Sequence, residues 1–419
     1  MVKFATKVLG KSSYKLKREL GLFNVTIAGV GIILGAGIYA LIGIASREAG
    51  NATWLSFLIS AIVAGFTGLS YAELSSIFKG DAGEYDYCKS AFNKKLAWII
   101  AILIIFTGIV SASAVALGFA GYLSAISPLP FLLCAVGLII LMTLLNFYGI
   151  KDSSKFNTVA TSIEFLGLLL IIILGAYYIF SGNSVAPGKE LLSMPNGLQG
   201  VLQAGALVFF AYMGFETIIK LREETKNPNK TIPKALLLSI LITAVIYVLV
   251  AVSAVSILPV SQLSSSSSPL ADVGAKALGA VMFTVIGIIA LFSTSNTVLL
   301  TMLTTSRLTY GMAKEKSLPK FFANVHKTKR TPHIAVFAVG IITILLALIK
   351  NIELVADLTT VGLFITFALV NLAAIFIRYN VKTKRPFMMP LNIGKFPVLS
   401  ALGVLTSLFM LIFSIINLF

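Results

Sequence analysis

Two carboxylates stand inside long apolar runs, and both invite chemistry. Glu164 occupies Ile163-Glu164-Phe165, and Glu216 ends the stretch Phe209-Phe210-Ala211-Tyr212-Met213-Gly214-Phe215-Glu216. An ionisable group at membrane depth is costly and usually marks a proton or ion pathway. Glu164 lies two turns into its run, about 10 Å at 1.5 Å per residue. A carboxyl there is expensive to keep charged, which makes it a candidate proton carrier. The bland alternative is an acid hydrogen-bonded to a neighbouring helix, through Thr294 or Ser295. For Glu216 the alternative is a bond that braces its own helix. Glu73, near the end of another run, reads most simply as an interfacial structural bond. Ser293-Thr294-Ser295-Asn296-Thr297 is a polar run in an otherwise apolar helix. These hydroxyls, Thr294 and Ser295 among them, bond back to their own helix or serve as oxygen ligands to a cation.

A second pattern is backbone chemistry. Gly29-Val30-Gly31-Ile32-Ile33-Leu34-Gly35-Ala36-Gly37 holds four glycines in nine residues. Each weakens a helix by about 1 kcal/mol relative to Ala. Close packing through small residues explains such a run, and so does a broken helix. A break frees N–H and C=O groups that must find partners. A half-helix N-terminus suits a carboxylate, and freed carbonyls suit an ammonium, so a zwitterionic amino acid satisfies both. Other chemistries find no support. Cys88 and Cys134 fit no metal or disulfide framework. His326 and His333 share a loop and suggest no metal. The glycine run lacks the Lys-Ser/Thr of a phosphate loop. We expect no enzyme activity, no cofactor and no ATP-driven pump.

The elements that position these groups follow from composition. Of 419 residues, 58% are hydrophobic and 12% charged, about half the charge of a soluble domain. Mean hydropathy is +0.96. A spanning helix needs roughly 20 apolar residues. Eleven segments qualify: 22–46, 53–78, 97–124, 130–148, 158–181, 200–220, 234–258, 278–304, 333–350, 356–378 and 396–418. The first is longer than a signal-peptide core and reads as a membrane helix. With the N-terminus in the cytoplasm, all but Arg47, Lys189, Lys276 and Lys350 of the 33 Lys and Arg residues fall on the inner side. That asymmetry accounts for the net charge of +17 without nucleic acid.

Segments one and six hold corresponding places if the first ten helices form two halves. Paired interrupted helices of this kind point to a transporter site at the midplane. The expected organisation is a tail (1–21), two five-helix repeats (22–181 and 200–378), and a basic loop with an additional helix (379–419). No sequence identity joins the halves, so the repeat rests on topology.

Four stretches carry a family resemblance. Gly31-Ile32-Ile33-Leu34-Gly35-Ala36-Gly37-Ile38-Tyr39 resembles the first-helix motif of the amino acid–polyamine–organocation superfamily. Tyr71-Ala72-Glu73-Leu74 with Gly83-Glu84-Tyr85-Asp86-Tyr87 is similar to the end of its second helix. Glu223 to Ala235 is similar to its loop after helix six, and Ser306-Arg307-Leu308-Thr309-Tyr310-Gly311-Met312-Ala313 to its loop after helix eight. The resemblance implies an all-α, leucine-transporter-like 5+5 inverted repeat with discontinuous helices one and six. It implies an amino acid permease of the cell membrane that works by alternating access. It places the substrate carboxylate on the amides of Gly35, Ala36 and Gly37. The ammonium then meets the carbonyls of Ile33 and Leu34, with Phe210, Ala211 and Met213, and Phe210 serves as an aromatic gate. Glu216 matches an acid that takes part in proton coupling in some members. Two departures stand out: Glu164 replaces a lysine found in some members, and eleven segments stand where the family usually has twelve. The expected partner ion is H⁺, with Na⁺ as the lesser choice, held by a carbonyl of Gly31 and the hydroxyls of Thr294 and Ser295 as in sodium-coupled relatives of the fold. Exchange, polyamine transport, and a sensor or channel are the alternatives.

Overall fold

The computed structural model describes residues 20–78, 83–148, 153–314, 316–381 and 383–418. The basic tail 1–19 and Lys79, Lys151 and Lys382, all counted above, lie outside them. The described chain is an all-α polytopic membrane protein. Its helices run α1 (Leu22–Ile33), α2 (Ala36–Ala49), α3 (Thr53–Ile77), α4 (Glu84–Ala91), α5 (Lys94–Ile126), α6 (Phe131–Tyr148), α7 (Ser153–Phe180) and α8 (Gly197–Val208). They continue as α9 (Pro228–Ile257), α10 (Val260–Ser265), α11 (Pro269–Leu278), α12 (Ala280–Lys314), α13 (His333–Ala347), α14 (Ile352–Asn380) and α15 (Val398–Ile416). A two-residue hairpin, β1 (Asn392–Ile393) with β2 (Phe396–Pro397), precedes α15.

Among the described residues, nine helical runs are long and apolar enough to cross a bilayer, while Leu22–Ile33 and His333–Ala347 are shorter. Each of the eleven apolar segments lies on helix. Small residues let the helices approach. A side chain at Gly68 of α3 would collide with Ile240 of α9, at 2.5 Å, the close contact that membrane helices use in place of a hydrophobic drive. Burial separates inner from outer helices. The apolar window of α14 is 67% buried, that of α7 33%. The outward faces of α6, α7 and α15 carry exposed Leu, Ile and Phe, as lipid contact requires.

The two ends of the bundle differ. At the basic end, where α3 and α14 finish, Glu73 forms a bidentate ion pair with Arg378 at 2.7 and 2.5 Å. It also accepts the Met389 amide at 3.0 Å, so Glu73 is the structural bond its position suggested. At the far end, where α2 finishes and α14 starts, Arg47 pairs with Glu353 at 2.5 Å and Glu48 at 2.9 Å.

Candidate functional site

Two helices are interrupted, and the interruptions touch. The first lies between α1 and α2, where Leu34 (φ −57°, ψ 118°) and Gly35 (φ −160°, ψ −169°) leave helical geometry. The second follows α8. Phe209–Tyr212 tightens into a 3₁₀ turn, Met213 and Gly214 break it, and Phe215–Glu224 resumes as 3₁₀. Gly214 has φ +118°, a region that L side chains rarely enter. A Cβ on Gly37 would sit 2.5 Å from Ala211 Cα, and one on Gly214 2.9 Å from the Ile32 carbonyl oxygen. Glycine is therefore required on both strands of this crossing. The sequence supplied the breaks through its glycine run and the Met-Gly pair.

Tyr247 of α9 joins the two breaks. Its hydroxyl lies 2.9 Å from the Ile33 carbonyl and 3.1 Å from the Ala211 carbonyl. Sequence reading missed this residue. The available signal was a lone tyrosine in the aliphatic run Ala244-Val245-Ile246-Tyr247-Val248, since a buried phenol must find a partner. Around the crossing, Phe210 is buried in the same apolar cluster as Ala36, Val298 and Leu299. Phe209 packs against Phe364 with ring centroids 4.5 Å apart, and Phe215 against Phe367 at 5.2 Å, both pairs tilted.

Ala36 opens α2, so its amide is one of the donors without an intrahelical partner. It donates to Thr297 Oγ1 of α12 at 3.3 Å. Thr297 in turn donates to the Ser293 carbonyl at 3.0 Å, and the Ser293 hydroxyl donates to Glu164 Oε1 at 2.7 Å. One helical turn of α12 thus connects Glu164 to the start of α2. Tyr39 of α2 donates to the Glu164 carbonyl at 3.3 Å. Glu164 is 1% exposed, and the serine beside it is Ser293, neither of the two hydroxyls named from sequence.

Glu216 braces its break: its Oε2 accepts the Gly214 amide at 2.8 Å. Thr294 donates to the Ala290 and Leu291 carbonyls of its own helix, at 2.7 and 3.2 Å. Ser295 is 9% exposed on α12. A Cβ on Gly31 would sit 2.4 Å from Thr161 Cγ2 of α7. No group of three or more His, Cys, Asp or Glu able to hold a metal occurs among the described residues. Sequence reading counted only Glu164 and Glu216 as acids at site level. Asp357 on α14 is a further fully buried carboxylate, overlooked because it stands at the edge of its apolar segment.

Comparison with known proteins gives the family. The profile of the family described as amino acid permease matches residues 20–418. The branched-chain amino acid permease of Bacillus subtilis (strain 168) is 30% identical, over 95% of this chain and 88% of its own length. The methylthioribose transporter of the same organism is 29% identical, over 93% and 87%. The vacuolar cationic amino acid transporter 4 of Arabidopsis thaliana is 29% identical, over 87% of this chain and 64% of its own length. With a match across nearly its whole length, this chain belongs to the amino acid permease family, within the amino acid–polyamine–organocation superfamily.

Proposed function

We propose that the protein carries amino acids across the cell membrane by alternating access, with the basic end in the cytoplasm, and that proton binding at Glu164 drives accumulation. The observation that carries this reading is the crossing of two interrupted helices, tied through Tyr247 to the carbonyls of Ile33 and Ala211. Half-helix α2 presents the amides of Gly35 and Gly37 to a carboxylate, joined by that of Ala36 when it exchanges Thr297 Oγ1 for the substrate. The carbonyls of Ile33, Leu34, Ala211 and Met213 face the ammonium, and Phe210 covers the site. The relay Glu164–Ser293–Thr297–Ala36 supports coupling, because three hydrogen bonds along one turn of α12 join Glu164 to the start of α2. Na⁺ coupling through Gly31, Thr294 and Ser295 draws less support, since the bonds of Thr294 stay within α12 whereas Glu164 is linked to the start of α2.

The two five-helix repeats, 22–181 and 200–378, supply the moving parts. Each begins with an interrupted helix, and rocking of one helix bundle against the other is the motion this architecture allows. Substrate choice has a second reading, because one relative of nearly full coverage is named for methylthioribose. The test is uptake into proteoliposomes with a panel of amino acids plus methylthioribose, under a pH gradient and then a Na⁺ gradient. Accumulation of an amino acid under the pH gradient is expected. Neither accumulation nor exchange of any amino acid under either gradient overturns the proposal.

A further inference from the structure

Asp357 is a buried acid that the transport cycle above does not use. It lies in the far-end half of α14 at 0% exposure. Its Oδ1 accepts from the Asn417 side-chain amide at 3.2 Å, while its Oδ2 has no partner among the described residues. The charged groups that act on it through space are Glu353, Glu48 and Arg47, and Arg47 is already bonded to both of those acids. The helices α15 and α8, packed on α14, bring no titratable side chain. Those of α3, α4 and α5, except Tyr122, stand at the basic end, and Tyr212 of the 3₁₀ turn on α14 donates to the Phe57 carbonyl.

A carboxylate in this setting is unfavourable, with a full charge, no solvent and unmet lone pairs. Binding a proton removes the charge. A metal ion fits less well, because it needs a cage of oxygens and the nearest side-chain partner presents an N–H. The surroundings say what the proton controls. The Asn417 amide also reaches the Gln203 carbonyl of α8 at 3.3 Å. One turn along α14, Thr360 donates to the Asp357 carbonyl at 3.0 Å and meets Ser414 of α15 at 3.0 Å. Asp357 therefore sits where α14, α15 and the outer half of an interrupted helix converge.

We propose that Asp357 is a proton-binding site, loaded when the far end of the bundle is closed, and that its proton permits α8 to close against α14 and α15. The step is simple: carboxylate plus a proton from the far-side solvent gives the carboxylic acid, and opening returns the proton to the same side. In the orientation proposed above that side is external, so rising external pH slows closure. The inference does not depend on Glu164 as the coupling group.

Infrared spectroscopy of the wild-type protein with isotopically labelled aspartate tests the site directly. The other aspartates, Asp81, Asp86, Asp152 and Asp272, lie outside the long apolar segments. A label-sensitive carboxylic-acid band is expected at neutral pH and is lost in Asp357→Asn. If no such band is present, or if it survives Asp357→Asn, the proton site is overturned. The wild-type spectrum stands even if the variant fails to fold. For gating, counterflow of the transported substrate is measured against external pH. Wild type is expected to slow by up to about tenfold per pH unit on the alkaline limb, the response of one proton, and Asp357→Asn to keep exchange with a flat profile. Identical profiles overturn the gating role. Failure of the Glu164 reading shows separately, as accumulation that survives Glu164→Gln.

Discussion

Tyr247 carries one hydroxyl proton and faces two carbonyls, so it bonds Ile33 and Ala211 alternately or shares its proton between them. Either way it holds the two breaks at a fixed spacing. Tyr247→Phe removes that tie while conserving the ring. Loss of a buried hydrogen bond costs about 1–1.5 kcal/mol, or roughly tenfold in affinity. A tenfold weaker substrate dissociation constant is expected, measured by scintillation proximity binding, with unchanged expression. Unaltered affinity removes Tyr247 from the site. Glu164→Gln keeps the Ser293 bond and loses the titratable proton. Counterflow is expected to persist and accumulation driven by a pH gradient to vanish. Full pH-driven uptake by the variant rejects the coupling role. Glu164 was legible in sequence because a charge stands out in an apolar run. Tyr247 was not, because its importance lies in two carbonyls supplied by remote segments.

At the scale of elements, the interruptions depend on glycine for two separate reasons. Gly37 is required for space, with Ala211 Cα 2.5 Å from where a Cβ would stand. Gly214 is required for backbone, at φ +118°, where another residue costs about 1–3 kcal/mol. Gly37→Ala and Gly214→Ala are expected to abolish transport and lower the melting temperature in detergent. Gly65 and Gly137, helical glycines with open space around them, provide the control. Alanine there gains helix propensity of about 1 kcal/mol and is expected to leave uptake intact. Equal tolerance at all four positions contradicts the crossing. The glycine run announced the first break, but sequence could not say which glycines face a partner helix. That depends on the crossing of α2 with the turn after α8, which unites residues nearly half the chain apart. The polar run of α12 was legible as unusual and illegible in direction. Its serine at 293 turns to Glu164, its threonine at 297 to Ala36, and Thr294 back to its own carbonyls.

At the scale of the whole molecule, the basic residues that marked one end in sequence also surround its main clamp. Glu73 joins α3 to Arg378 of α14 and to the backbone at Met389, with both side chains at most 4% exposed. Removing one partner of such a buried pair costs about 3–5 kcal/mol. Glu73→Gln is therefore expected to lower the melting temperature in detergent, whereas Glu353→Gln, at the exposed far-end pair, changes it little. Similar losses from both variants count against the clamp. The direction in which the bundle points rests on the Lys and Arg asymmetry, and it can be read without transport. Cys88 and Cys134 are buried, so the wild-type background for thiol labelling is low. Ser265 is exposed at the far end, where α10 finishes, and Lys327 is exposed at the basic end, between α12 and α13. A membrane-impermeant maleimide added to intact cells is expected to label Ser265→Cys, and to label Lys327→Cys only after permeabilisation. The reverse pattern inverts the bundle. It then moves the proton site at Asp357 to the cytoplasmic side, where internal rather than external pH sets the rate of closure.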